Sequence, residues 1–451
     1  MKQLLKEAWS LAIETLSWME MQKLSEHLAL AKTVRQLGIR DSNVIRLAHR
    51  LVCETVRREN FIDKFINNVL KPRAISEFKL GVQAFLRLYV YQTRIAKKWS
   101  KIDVEEAASV ARLARSILGW QTLQKIEHVL GLLLTQSPDS VLKGVSDEEK
   151  VGLSTFHPTW FVRYCFKLLG RNEAMKLLEA NMNSPPTYIR LNTLKASEDE
   201  IIQKLVREGV KAEKVEKLRY AYKVISTRRP LTKTLSFKEG LFYIQDKASC
   251  FAAEVANPKP GITLFDVCAA PGAKTTYLAQ LMKNQGVIYS LDYSRRRMNV
   301  WRNEVARMGV KIAVPIIADA CNPLPLNIKA DMVILDPPCT STGAFARIPS
   351  SKWRLTRRSV DKMTEIQWEM INNCAEKVKS KGFLVYSTCS ITVEENERLI
   401  ERFLKWHPDF SLVKIKSKIG LPGLRGIEKC RRLYPHIHQC NGFFIAKLLR
   451  E

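Results

Sequence analysis

The chain lacks the marks of a membrane or exported protein. No run reaches the roughly 18 apolar residues that a spanning helix needs. The opening stretch MKQLLKEAWSLAIETLSWMEMQ interleaves Glu7, Glu14 and Glu20 with its apolar residues, so it reads as an amphipathic helix and not as a signal peptide. A cytoplasmic location and no membrane partner are therefore expected. The ten cysteines form no CxxC pair, and in a reducing compartment most are expected to be free core thiols. Internal repeats and low-complexity tracts are missing. Acidic residues are in deficit, at 45 Asp and Glu against 73 Lys and Arg, which leaves a net charge of +28. An excess this large keeps a protein soluble and also points to a polyanion, with nucleic acid favoured over an anionic membrane. With 451 residues, 46% hydrophobic and 26% charged, the chain is an ordinary soluble protein of about two to four domains.

Three regions differ in rhythm. Residues 1–145 carry Leu, Val and Ile at three- and four-residue spacing, as in SNVIRLAHRLVCETVRRENFIDKFINNVL, and predict an all-α bundle. SPDSVLKGVSDEEK, with Pro138 and Gly144, reads as a linker. Residues 150–240 predict a small α+β module. HPTWFVRYCFKLLG is its first helix and PPTYIRLNTLK a strand. SEDEIIQKLVREG is a helix capped by Ser197 and Glu200. Between 217 and 238 lie seven Lys or Arg and no acid, with Tyr220, Tyr222 and Phe237 among them. That mixture suits single-stranded RNA, and suits a solvated strand with half-buried aromatics equally well. Residues 241–451 alternate short apolar runs (TLFDV, VIYSLD, IAVPIIAD, MVILD, GFLVYST) with helical stretches, which predicts a doubly wound, mostly parallel α/β sheet. GFFIAKLLR then joins antiparallel, at an edge or inserted.

Polar clusters end these strands, where an open α/β sheet binds its ligands. FDVCAAPGAKT has Asp266 at the strand end and a small-residue turn, Cys268, Ala269, Ala270, Pro271, Gly272, Ala273 and Lys274, that lets a ligand approach the next helix start. It is neither GxGxxG nor a P-loop, which disfavours a nicotinamide-dependent oxidoreductase. Asp292 ends the second strand and can accept from both hydroxyls of a ribose; Asp319 follows the third and can accept from an adenine amine. Each acid alone is as readily a cap or a loop residue. Together they predict a nucleoside site. LDPPCTSTGAF and VYSTCS each place a cysteine, Cys339 and Cys389, just beyond a strand. Cys430, His436, His438 and Cys440 match no common zinc spacing, and no metal is expected.

CAAPGAKT, DPPC and STCS together resemble the RNA (cytosine-5)-methyltransferase family, in the branch containing Sun (Fmu) proteins. The resemblance runs from about residue 154 to the end, through HPTWFVRY, PPTYIRLNTLK, FKEGLFYIQDKAS and RLYPHIHQCNGFFIA in order. It implies a Rossmann-like methyltransferase domain that uses S-adenosylmethionine. More weakly, the N-terminal helices resemble the NusB-like RNA-binding domain of Sun proteins, which favours ribosomal over transfer RNA as substrate. The family usually has Gly-Gly-Lys where this chain has Gly272-Ala273-Lys274.

By that resemblance Cys389 is the thiol that adds to carbon 6 of cytosine, making carbon 5 nucleophilic toward a methyl sulfonium. Asp336 supplies a proton or hydrogen bond at N3, and Cys339 assists release of the product. Lys274 lies near the acid and favours thiolate. Pro337 and Pro338 stiffen the loop and leave carbonyls for the base's amino group. Residues 268–274, Asp292, Arg297, Asp319 and Asp336 are implied to hold the cofactor, Arg297 reading otherwise as a surface residue of a basic helix. ARIPSSKWRLTRR, with five basic residues between 347 and 358 around Trp353, is expected to touch RNA phosphates. A non-catalytic RNA-binding or ribosome-assembly factor on the same fold competes with this reading; the intact Asp336, Cys339 and Cys389 argue against it.

Overall fold

The structure is a computed structural model describing residues 2–96 and 103–451. Met1 and residues 97–102, both inside the region predicted to be helical, lie outside the described residues. No helix among the described residues is long and apolar enough to cross a membrane. The chain forms two compact units: residues 1–182 with 347–354, and residues 183–346 with 355–451.

The first unit is helical. Its long helices, among them Lys2–Gln22, Ser42–Arg57, Glu59–Leu70 and Leu80–Val90, are amphipathic and close their apolar faces around Trp9, Phe65 and Phe85. Arg87 reaches Asp63 through two hydrogen bonds of 2.7 Å at the edge of that core. The stretch expected to be a linker is ordered, holding a 3₁₀ turn at Pro138–Val141 and a helix at Asp147–Ser154 capped by Ser146. Thr159–Ala180 also belongs to this unit and kinks at Gly170, whose φ is 73°.

The second unit contains two sheets. Strands β1 (Tyr188–Leu191), β2 (Val210–Lys214), β3 (Ala221–Thr227) and β4 (Phe242–Ile244) form an antiparallel sheet in the order 2-3-1-4. The helix Glu198–Arg207 packs through Ile201 and Leu205, and Ser197 and Glu200 form the predicted capping box. The larger sheet is built from β5 (Thr263–Val267), β6 (Val287–Asp292), β7 (Ala313–Ile317), β8 (Ala330–Leu335), β9 (Val378–Thr388), β10 (Phe410–Leu412), β11 (Leu421–Pro422), β12 (Arg431–Leu433) and β13 (Phe443–Arg450). Its order is 11-12-13-9-8-5-6-7, with β10 paired to β13. Strands 5 to 9 run parallel, and β13 is inserted antiparallel between β9 and β12. Strand order reverses between β5 and β8, where Val267 lies opposite Leu335, so the ligand crevice of such a sheet opens beyond those two residues.

One ion pair fixes the β12 edge. Arg432 and Glu397 are 1% and 0% exposed at their side chains, and the guanidinium meets the carboxylate through Nε and Nη2. Arg432 Nη1 also donates to the carbonyl of Ile391 at 2.9 Å, and Leu424 N donates to Glu397 at 3.0 Å. Removing one member of such a pair leaves the other charge buried and unpaired. Glu397→Ala is therefore expected to destabilise this unit by about 3–5 kcal/mol, read as a lower guanidinium midpoint. An Arg432→Met/Glu397→Leu double variant should recover much of the loss, and failure to do so would refute this account.

Candidate active site

The turn after β5 is held from below. Asp266 is buried, accepts from Thr275 Oγ1 at 2.5 Å, and Thr275 in turn accepts from Trp301 Nε1 at 2.9 Å. Burial pushes the Asp266 carboxyl up to about 7. Asp266 thus braces the turn and does not face a ligand. Gly272 has φ 109°, and a Cβ there would sit 3.2 Å from Trp301 Cδ1, so glycine is required. Ala273 opens the helix Ala273–Leu281 with negative φ, and its extra methyl imposes no backbone strain.

The other acids differ in setting. Asp292 is buried; its Oδ2 accepts from Ala270 N at 3.3 Å and its Oδ1 from Ser294 N at 3.0 Å. Arg297 lies 3.2 Å from the same carboxylate and also donates to the carbonyl of Ala270. Asp319 is exposed and accepts from Cys321 N at 3.0 Å. Asp336, half-buried beyond β8, takes Lys274 Nζ on Oδ2 at 2.5 Å and Ser387 Oγ on Oδ1 at 3.0 Å. Burial works against the Lys274 ammonium, but Asp336 outweighs it and the net shift of the lysine is upward. This donor set suits a nucleoside carrying a positive charge: carboxylates beyond β6, β7 and β8, a close-approach glycine and a helix start.

Cys339 and Cys389 come together although 50 residues separate them: their sulfurs are 3.2 Å apart, both thiols are free, and both are partly exposed. Ser341 Oγ lies 3.3 Å from Cys389 Sγ. The two cysteines are not equivalent. The hydrogen bond from Cys339 lowers Cys389, burial opposes this, and Ser341 and Lys274 add to the lowering. Cys339 is pushed well up, first by that same hydrogen bond and then by burial. The two are thus shifted in opposite directions, Cys389 toward thiolate and Cys339 away from it.

A residue that sequence reasoning passed over holds the two loops together. Glu395 is fully buried and accepts from Thr340 N (2.8 Å), Thr340 Oγ1 (2.5 Å), Gln367 Nε2 (3.0 Å), Ser390 Oγ (2.5 Å) and Thr392 Oγ1 (2.7 Å). Thr340 follows Cys339 and Ser390 follows Cys389, so one carboxylate fixes both. Gly343 N donates to the carbonyl of Cys389 at 2.9 Å, and a Cβ on Gly343 would lie 2.1 Å from Gly442 O. The only sequence signal was the run STCSITVEEN, where hydroxyls crowd around acids near a helix start.

The structure therefore brings residues 268–274, Asp336, Cys339 and Cys389 to one crevice and revises other expectations. The Pro338 carbonyl takes one hydrogen bond, from Gln367 Nε2 at 2.9 Å, and keeps a second lone pair. The segment 347–354 belongs to the helical unit, where Lys352 is buried and donates to the carbonyls of Arg57 and Phe156. Trp353 Nε1 donates to Val56 O at 2.6 Å, so neither side chain is free for phosphate. Among the aromatics of 217–238, Tyr222 is buried and bonds Glu198, Tyr220 packs edge-on against Tyr277, and Phe237 lies under Arg307, which fits the alternative of half-buried aromatics.

Comparison with known proteins agrees with this geometry. The family model described as 16S rRNA methyltransferase RsmB/F matches residues 253–449, and the RsmF/B-like ferredoxin-like domain matches 157–228. The probable ribosomal RNA small subunit methyltransferase B of Bacillus subtilis is 28% identical over 451 residues, covering 98% of each chain. The 25S rRNA (cytosine-C(5))-methyltransferase nop2 of Schizosaccharomyces pombe is 33% identical over 299 residues, 63% of this chain and 49% of its own. The crystal structure of PH0851 is 30% identical with a TM-score of 0.86, covering 98% of both chains. The chain belongs to the RsmB/F methyltransferase family.

Proposed function

We propose that the protein methylates carbon 5 of a cytosine in RNA, with S-adenosylmethionine as donor and Cys389 as nucleophile. The observation that carries this reading is the pair of sulfurs 3.2 Å apart, Cys389 shifted toward thiolate and Cys339 held protonated, at the crevice between β5 and β8. When bound, the cofactor supplies an electrophilic methyl group beside that crevice. Residues 268–274 shape its seat. Asp292 suits the ribose once Arg297 swings off it, and Asp319, whose carboxylate is exposed, suits the adenine amine.

The chain's own groups then account for the chemistry. Cys389 adds to carbon 6 of an unpaired or flipped cytosine, and electron density moves toward carbon 5 and N3. Asp336, fed by the Lys274 ammonium, meets the charge that builds at N3. After methyl transfer the carbon-5 proton passes to solvent water, its electron pair re-forms the carbon-5–carbon-6 double bond, and the Cys389–carbon-6 bond breaks to return the thiolate. The protonated Cys339 is placed to hydrogen-bond the departing sulfur. The whole-length match to a relative named for the small ribosomal subunit favours ribosomal RNA. In this reading residues 1–145 are a NusB-like RNA-docking bundle, 150–240 a second RNA-binding module and 241–451 the catalytic domain.

Methyl transfer from labelled S-adenosylmethionine to unmodified RNA should yield 5-methylcytosine in the wild type and none in Cys389→Ala, whereas Cys339→Ala should accumulate a covalent RNA adduct. Product from Cys389→Ala would refute the assignment. Alkylation of Cys389 by iodoacetamide, followed by peptide mapping, tests the sulfur pair without RNA. Because Cys339 is the largest influence lowering Cys389, Cys339→Ala should move the alkylation midpoint to higher pH and slow the reaction near neutrality; an unchanged midpoint would contradict it. Glu395→Gln turns two acceptor sites of the cysteine clamp into a donor, and should reduce kcat at least about tenfold through misplacement of the sulfurs, with cofactor affinity retained. A loss confined to cofactor affinity would exclude this role.

A further inference from the structure

Away from the cysteines, a cavity of about 380 Å³ in the second unit is walled by lysines from three separate segments: Lys217 between β2 and β3, Lys414 and Lys416 between β10 and β11, and Lys447 on β13. Each is held by its neighbours. Ile415 and Ile419 are buried and flank the exposed Lys414, Lys416 and Lys418. Val413 N donates to Lys447 O at 2.9 Å, and Ile415 N to Lys429 O at 3.1 Å, which tethers the loop. Leu218, buried beside Lys217, anchors the opposite wall. Lys447 Nζ donates to the carbonyls of Val255 and Ala256, both at 3.0 Å, leaving one of its three N–H bonds to give.

The cations lack counterions. Among the described residues no acidic side chain pairs with Lys217, Lys414, Lys416 or Lys418. The one acid in the wall, Glu254, is already engaged by Tyr277 OH and by Arg219 N at 2.8 Å, and Asn257 Oδ1 is taken by Arg219 Nη2 at 2.7 Å. Gathering like charges in this way carries a repulsion that an anionic chain relieves. The cavity is concave, which suits a strand threading through it better than the flat plane of lipid headgroups. Lys447 lies opposite Val385 on β9, and Cys389 follows the last residue of that strand, about 13 Å along the chain from Val385.

We infer that this lysine-walled cavity binds the phosphodiester backbone of the RNA substrate, flanking the target cytosine. The inference rests on the RNA methyltransferase reading. Its recognition is of phosphate, so it confers affinity and register and reads no base.

The test is binding of a fluorescein-labelled small-subunit ribosomal RNA transcript across a salt series, comparing two charge-matched variants. One is Lys217→Ala/Lys414→Ala/Lys416→Ala, all three in the cavity wall. The control is Lys283→Ala/Lys311→Ala/Lys329→Ala, three exposed lysines on the loops that feed the amino ends of β6, β7 and β8. The first should weaken binding by at least about tenfold at moderate salt and reduce the slope of log K against log salt by about 2, as expected for three lost single-strand contacts. The control should keep the wild-type slope. Equal slopes in the two variants, or a wild-type slope in the first, overturn the inference. So does loss of binding to phosphatidylserine vesicles with the RNA slope intact, which would assign the cavity to a membrane. Should wild type bind RNA but methylate none, the activity reading falls while these slopes still judge the cavity.

Discussion

A single buried carboxylate, that of Glu395, is what the geometry of the two cysteines hangs on. Shut off from water, it is tolerable only because five donors surround it. Those donors are the residues next to the two cysteines and a glutamine from the helix behind them. The carboxylate thus converts its own need for partners into a fixed distance between two loops that leave different strands. The Ser390 and Thr392 hydroxyl oxygens lie 2.9 Å apart, so the two donors converge on the carboxylate side by side.

Charge in the crevice is arranged around one cation. Lys274 is held among Asp336, Asp266 and Cys389, all of which favour its protonated state, so burial does not neutralise it. A fixed positive charge beside Cys389 favours its thiolate, and the same charge holds the Asp336 carboxylate. Asp266, pushed toward neutrality by burial, lessens the competition for that lysine.

Much of this was legible in the sequence because the signals were local. The five parallel strands, the capping box at Ser197 and the turn at Gly272 each follow from a short run whose periodicity or φ requirement is self-contained. The pairing of Cys339 with Cys389 was accessible only through resemblance, since spacing along the chain says nothing about which loops meet across β8 and β9. The clamp at Glu395 was hidden because glutamate before a helix reads first as a capping residue. Lys352 and Trp353 misled for the converse reason: a basic and an aromatic residue near the active-site motif suggest RNA contact, yet their polar atoms bond backbone carbonyls of the helical unit. At Tyr220 and Tyr222 the composition left two readings open, and the structure takes the one with half-hidden aromatics.

The assignment of residues 347–354 to the helical unit bears on biosynthesis. The chain passes between its two units three times, at 182, 346 and 354. A ribosome making it releases every residue of the bundle's main body early, yet the eight residues that finish that body emerge only after β5 to β8 have been made. Until then the carbonyls of Val56, Arg57 and Phe156 wait for donors supplied by Lys352 and Trp353. The N-terminal unit is therefore first in sequence, yet its last eight residues are made only after four strands of the second unit's large sheet.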